Sequence, residues 1–491
     1  MNLIAFSMKT KGVRNFARRL WTVFTRFGIS EKRTRKALYA LIDLLHKYHA
    51  APTFFIPAVV LQRHPSLLRA ISGDGAEIGI HGYVHNDYRS LTESQQYKQT
   101  EQAIAVFQSS HIPYQGFRNP YLGWTEESLH VFTALNLMYE SNEAVIHDVI
   151  DPDQLSPLQR SGYEKSLMLF QAIEPTIYSL RPHFEGSLLR LPTSIPDDEM
   201  LFDRLRITDP GEIGRIWCQV MQQVYDYGGL YVLNLHPERG ILCRRALSIL
   251  LQYARNRPHP VWLARLDEIA LWWKERSQFR IHITRLGSHR WRVEATCTPR
   301  ATLLARYLIV EGQSSSTSNI VGATALPRPL TSTSEATRPL TSTPDAIALP
   351  RPPTSASEVP RPTLTCPPQC IVQSEKCPCI GVSPRTSQAV QDFLSEQGYP
   401  FVSSSLENAD TFSLYLDMPE DLGDTREGQQ YRCSELVQQI EQLDAPFLSF
   451  GCWPAGYHAA LAISGDIDSV TIQDFFLRVI EVSSKNGANS K

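Results

Sequence analysis

Between Glu31 and Trp272 the chain alternates stretches of helical spacing with short apolar runs. Leu38, Leu41, Ile42, Leu44 and Leu45 recur at the period of a helix over Glu31 to Tyr48. Pro52 then leads into a strand at Thr53 to Ile56, and Asp74-Gly75 marks a turn before the apolar run Gly75 to Gly79. Further helices are expected near Glu93 to Ser109, Glu127 to Leu135 and Ile213 to Tyr227. The last ends at Gly228-Gly229, ahead of the apolar run Leu230 to Leu235. Strands that alternate with helices predict an α/β domain built on a mostly parallel sheet or barrel, here residues 12–275.

After Phe279 the period changes. Arg280 to Thr284 and Arg290 to Ala295 alternate polar and apolar positions, which predicts a small antiparallel β appendage over 276–312. Residues 313–376 are read as a disordered tether. Their imperfect repeat (Leu326-Pro-Arg-Pro-Leu-Thr-Ser, Leu349-Pro-Arg-Pro-Pro-Thr-Ser) offers too few large apolar groups to offset chain entropy. A small α/β segment is expected over 377–450. Residues 451–491 hold a buried strand at Ala459 to Ile463 and a helix from Thr471.

Composition narrows the class. With 491 residues, 42% hydrophobic and 20% charged, the chain is long enough for at least two cores. A net charge of −2 argues against a generic nucleic-acid binder. Lys9, Lys11, Arg14, Arg18 and Arg19 beside Phe16, Leu20 and Trp21 read as a basic surface helix, with a membrane-surface segment as the alternative. No apolar run is long enough for a membrane span, and Met1 to Ser7 lacks the features of a secretion signal, so a cytoplasmic location is expected. Nine irregularly spaced cysteines do not read as a disulfide framework. Cys366, Cys370, Cys377 and Cys379 could bind zinc, although their spacing is irregular and they lie beside the low-complexity stretch.

The candidate chemistry lies in a few polar groups at the ends of apolar runs. His81 and His85 are two imidazoles four residues apart, half of a metal site that needs a third ligand. Arg118 precedes a proline-fixed turn at Pro120-Tyr121, and His236 ends the Leu230 to Leu235 run. Asp466 and Asp468 follow the last apolar strand, where they could instead cap the helix after Thr471.

Taken together, Thr53-Phe-Phe, Glu77-Ile-Gly-Ile-His81-Gly with His85, Arg118-x-Pro120-Tyr121 and Leu233-x-Leu235-His236 resemble the polysaccharide deacetylase family. That family includes chitin, chitooligosaccharide and peptidoglycan deacetylases, and the match runs over about residues 30–240. The resemblance implies a distorted (β/α) barrel and metal-assisted hydrolysis of an N-acetyl group. His81, His85 and Asp468 would hold a divalent metal such as Zn2+, and Asp466 would act as base, with the two aspartates' roles open to reversal because Ile467 separates them. His236 would act as acid, Arg118 would orient the base, and a backbone N–H near Tyr121 would face the oxyanion. Asp198, in Pro196-Asp-Asp198, would pair with His236. No nucleotide or organic cofactor is implied.

The family's aspartate pair normally precedes the Thr-Phe-Phe strand. Here Trp21 to Gly28 fills that slot without a carboxylate, and the motif stands instead at Ala460 to Asp468, after the family-like Trp453-Pro-Ala-Gly456. A circular permutation is therefore expected. The alternatives are a second, truncated deacetylase unit or a domain swap between two chains. An N-acetylated carbohydrate is the expected partner. A non-sugar amide on the same fold and an inactive carbohydrate-binding scaffold are the competing readings.

Overall fold

The computed structural model describes residues 27–175, 178–312, 363–420 and 426–487. The basic stretch around Lys9 to Trp21 and the repeats after Leu326 lie outside the described residues. The chain divides into two compact units, one of residues 27–277, 426–437 and 457–487, the other of 278–312, 363–420 and 438–456.

The first unit is a mixed α/β fold on a curled, half-barrel sheet, as expected from the sequence. Its strands are β1 (Thr53–Ile56), β2 (Glu77–Ile80), β3 (Gly116–Phe117), β4 (Tyr139–Glu140), β5 (Ala144–Ile146), β6 (His183–Glu185), β7 (Leu188–Arg190), β8 (Thr193–Ile195), β9 (Leu230–Leu235) and β10 (Val261–Leu263). An eleventh, Ala459–Asp466, comes from the far end of the chain. Across the sheet the order is β5, β8, β9, the C-terminal strand, β1, β2, β3, β4, β7, β6, and β10 pairs with the start of the C-terminal strand. Every pairing is parallel except that of β6 with β7.

Local chemistry explains the elements. β1, β9 and the C-terminal strand are buried at every position, which suits the near-continuous apolar runs of a parallel sheet in an α/β fold. The helix Lys32–His46 turns Leu38, Leu41, Ile42 and Leu45 toward the core. In the helix Pro210–Tyr227, the Asp209 side chain accepts from the Glu212 N–H, proline takes the first turn, and Gly228 leaves at φ 68°.

The C-terminal strand lies in the middle of the sheet. It pairs with β1 from Thr53↔Ser464 to Phe55↔Asp466 and with β9 from Leu230↔Ala460 to Leu235↔Gly465. Its small side chains suit so crowded a slot. A Cβ on Gly465 would come 2.8 Å from the Leu235 carbonyl and from Pro237. The following segment is tied down as well: Ile467 N–H donates to the Phe55 carbonyl (2.8 Å), and Thr34 Oγ1 donates to the Val470 carbonyl (2.6 Å). Ile467 and Val470 are fully buried, each such side chain contributing roughly 1.5–3 kcal/mol. The helix Ile472–Gly487 then packs Phe475 against Phe27.

The second unit contains three small sheets. The predicted meander forms from Arg280–Arg285 and Arg290–Thr296, but it does not stand alone over 276–312: Gln369–Gln373 pairs with Arg290–Thr296 and with Ile309–Val310. Leu303–Arg306 is flanked by Thr363–Cys366 and Phe447–Phe450. Two strands thus begin within the stretch read as tether, because the half-apolar strands before it need partners for their backbone N–H and C=O groups. The third sheet is parallel, with Cys377–Val382 between Phe401–Ser403 and Phe412–Leu416. Among the described residues no helix is long and apolar enough to cross a membrane.

Candidate metal centre and acid–base groups

The polar groups singled out in the sequence stand at the carboxyl ends of neighbouring strands. His81 follows β2, Arg118 follows β3, His236 follows β9, and Asp466 ends the C-terminal strand. Parallel α/β sheets expose reactive groups along this edge, where strands end and loops begin.

His81, His85 and Asp468 converge, with one ligand atom from each lying within 4.8 Å of the others. Asp468 Oδ1 stands 3.2 Å from His85 Nε2 and 3.6 Å from His81 Nε2. His81 Nδ1 lies 2.7 Å from the Arg118 carbonyl. The carbonyl can only accept, so Nδ1 carries the proton and Nε2 turns a lone pair toward the cluster. Burial pushes the His81 imidazole down to about 4, against the pull of Asp466 and Asp468, which keeps it neutral as a ligand must be. Burial alone would raise the Asp468 carboxyl, but His85 and Arg478 hold it well below the usual carboxylate range. Asp468 Oδ1 is buried with no hydrogen bond in the structure, while Oδ2 accepts one from Arg478 at 2.7 Å. Two imidazoles and a carboxylate oxygen with an unsatisfied lone pair are a donor set suited to a divalent cation such as Zn2+. Among the described residues no cysteine joins such a group, Cys366 to Cys379 included.

Beside this centre, Asp466 is held by a buried polar lattice. Its Oδ2 accepts from Asn234 Nδ2 (2.9 Å), and its Oδ1 lies 3.4 Å from Arg118 Nη1. The Arg118 guanidinium is buried over the Phe55 ring and also donates to Asn234 Oδ1 (2.7 Å), Ser464 Oγ (2.8 Å), and the carbonyl and Oγ of Ser141 (3.0 and 2.9 Å). So many fixed acceptors leave the guanidinium one orientation.

The third grouping is His236 with Asp198. His236 Nδ1 lies 2.7 Å from Asp198 Oδ1, and the His236 backbone N–H donates to Asp198 Oδ2 at 2.9 Å. Burial would raise Asp198, but His236 and Arg239 hold it far below the ordinary carboxylate range. Its neighbour Asp197 is pushed up to about 7 by burial and by the charges of Asp198 and Glu199, and caps the next turn through the Met200 N–H (2.8 Å). Tyr121, at the mouth, has a left-handed backbone (φ 61°, ψ 16°) and sets its ring edge-on to His85, centroids 4.7 Å apart. A left-handed tyrosine is uncommon and is tolerated where the surroundings fix it.

Glu77, part of the motif leading to His81, has a structural task. It accepts from Tyr139 Oη (2.6 Å), Thr53 Oγ1 (2.7 Å) and the Asp267 N–H (3.0 Å), beneath the sheet edge. Sequence reasoning missed Asn234, Ser464 and Ser141 around Arg118, and Arg478 behind Asp468. The first two did leave a signal, as polar residues inside otherwise apolar runs. Arg478 left none.

Residues 31–139 match the family model described as polysaccharide deacetylase. Solved structures with a similar course include a protein from Mycobacterium smegmatis described as a polysaccharide deacetylase (19% identity, 54% of this chain and 82% of that one, TM-score 0.36). Others are the allantoinase Puue (18%, 48% and 72%, TM-score 0.37) and the peptidoglycan deacetylase PdaC from Bacillus subtilis (15%, 49% and 86%, TM-score 0.28). Residues 31–139, with His81 and His85 among them, are thus similar to a polysaccharide deacetylase domain.

Proposed function

We propose that this protein is a metal-dependent N-deacetylase that hydrolyses the acetamido group of an N-acetylated sugar or polysaccharide. One observation carries this reading: Asp468 of the C-terminal strand's exit loop meets His81 and His85, with Asp466 and Arg118 beside them. A Zn2+ or similar ion held by these three residues would supply Lewis-acid polarisation of the amide carbonyl and lower the pKa of water.

The chain's own residues supply the rest. Asp466, held by Arg118 and Asn234, takes a proton from the attacking water as its oxygen joins the carbonyl carbon. The backbone N–H at Tyr121 faces the developing oxyanion. When the C–N bond breaks, His236 delivers a proton to the departing sugar nitrogen, and acetate and a free amine leave. Asp198 fixes the His236 ring so that Nε2 is the nitrogen presented to substrate.

We further propose that the family's first strand has moved by circular permutation to Ala459–Asp466, so that residues 27–275 and 457–487 form one catalytic domain. Its central place between β9 and β1 within a single chain supports this over a second, truncated unit or an exchange between chains. The test is acetate release from N-acetylglucosamine oligomers by the metal-loaded protein. Activity that is lost on chelation and on Asp468→Asn supports the reading. No release from any N-acetylated oligosaccharide by the metal-loaded protein refutes it.

A further inference from the structure

Three consecutive carboxylates, Asp197, Asp198 and Glu199, follow β8 and face different ways. Asp197 turns inward to cap the next turn, and Asp198 binds His236 Nδ1. Glu199 turns outward. Its Oε2 stands 3.8 Å from His236 Nε2, the nitrogen on the far side of the ring from Asp198. Its Oε1 accepts from Arg204 Nη2 at 2.9 Å, which fixes the carboxylate's direction. Glu199 precedes and Arg204 ends a π-helical turn, Met200–Arg204, a form of helix frequent at functional sites. The Glu199 side chain retains 26% of its exposure and so can meet a ligand, whereas Asp198 is closed off. Glu199 is also among the charges that act on Tyr121, after burial, Arg478, Asp468 and Asp87.

We infer that Glu199 is a positioning residue of the acid step, a second carboxylate that faces His236 Nε2 and holds its imidazolium for proton delivery. This rests on the deacetylase reading for the meaning of the acid step, while the His236–Glu199 pairing stands on geometry alone. The groups around the ring account for the charge. Asp198 lies on Nδ1 and Glu199 on Nε2, Arg239 sits 3.5 Å from Asp198 and also binds Asp203, and the charge of Asp197 is felt by the same pair. Asp198 is matched by Arg239 as well as by His236, and Arg204 holds Glu199 Oε1, so Glu199 acts on His236 through Oε2, the oxygen Arg204 does not hold. Once the nitrogen has taken the proton, the same carboxylate faces the new ammonium group, with which it can pair. The leaving amine of an amino sugar is the chemistry it suits.

The test reads His236 directly. In histidine-labelled, full-length protein, with the His236 signal assigned by His236→Gln, the ring's titration is followed by NMR in wild type, Glu199→Gln, Glu199→Asp and Asp198→Asn. Removing a nearby opposite charge should lower the His236 midpoint by about half a unit or more in Glu199→Gln. Glu199→Asp should restore part of it, and the basic limb of kcat/KM should move to lower pH by the same amount. An unmoved midpoint in Glu199→Gln, alongside a clear shift in Asp198→Asn, overturns the inference. If the midpoint moves but wild type releases no acetate, the pairing stands and the deacetylase reading falls.

Discussion

Arg478 holds one oxygen of Asp468 at 2.7 Å and leaves the other, buried and without a hydrogen bond, turned to the two histidines. The arginine comes from the C-terminal helix and the aspartate from the loop before it, so a single segment provides both the proposed ligand and its support. Removing the support should therefore weaken metal binding without removing a ligand. Arg478→Ala should lower Zn2+ affinity by roughly 10- to 100-fold in calorimetric titration of the metal-free protein, the usual cost of losing a group behind a ligand. Unchanged affinity would remove Arg478 from the site.

Asp466→Asn keeps the size of the side chain but cannot accept a proton. It should reduce kcat by about 10²- to 10⁴-fold while Zn2+ still binds, since Asp466 is not among the three converging ligands. If Zn2+ affinity fell as far as in Asp468→Asn, the roles of the two aspartates would have to be exchanged.

His236→Ala removes the proposed proton donor and should lower kcat by a similar factor of about 10²–10⁴, with little effect on metal affinity. Asp198→Asn should act through the same histidine, and its loss should not add to that of His236→Ala in the double variant. Additive losses in steady-state kinetics would separate the two residues.

The C-terminal helix is also anchored by Asp474, which lies 2.8 Å from His64 Nε2 and accepts from the Thr471 N–H and Oγ1. Burial would raise this carboxyl, but His64 and Thr471 bring it down to about 2. A carboxylate whose folded pKa is depressed contributes stability above its unfolded pKa of about 3.9, and that stability is lost as pH falls toward 2. Thermal melts between pH 5 and 2 should lose less stability in Asp474→Asn than in wild type. Parallel acid profiles for the two proteins would show that Asp474 carries no such contribution.

Deleting residues 457–491 should prevent the first unit from folding, because β1 and β9 lose the strand between them and with it both rows of hydrogen bonds. A truncated chain that remained soluble, with a cooperative melt, would contradict the central place of that strand.

The long elements were legible because their patterns are local. Leu38 to Leu45 mark a helix by spacing alone, and Thr53 to Ile56 and Leu230 to Leu235 mark buried strands by continuous apolar character. β3 to β8 were not legible. They are two or three residues long, and pairing with neighbours rather than their own pattern defines them. In the second unit the strands of Thr363–Cys366 and Gln369–Gln373 follow a low-complexity stretch, and only their antiparallel partners distinguish them from it.

By itself the sequence determined which reactive groups the chain carries: two imidazoles four apart, an arginine before a proline turn, a histidine ending a strand and an Asp-x-Asp pair near the far end. Side-chain chemistry and short spacing are properties of the chain and need no fold. Only the tertiary structure decided that Asp468 meets His81 and His85, and that Asp466 shares a buried lattice with Arg118 and Asn234. It also decided that Glu199, rather than Asp197, looks outward at His236. The reason is physical. A parallel sheet brings strand ends together along one edge whatever their order in the chain, and which strands are neighbours depends on how apolar faces and backbone hydrogen bonds are satisfied across the whole domain.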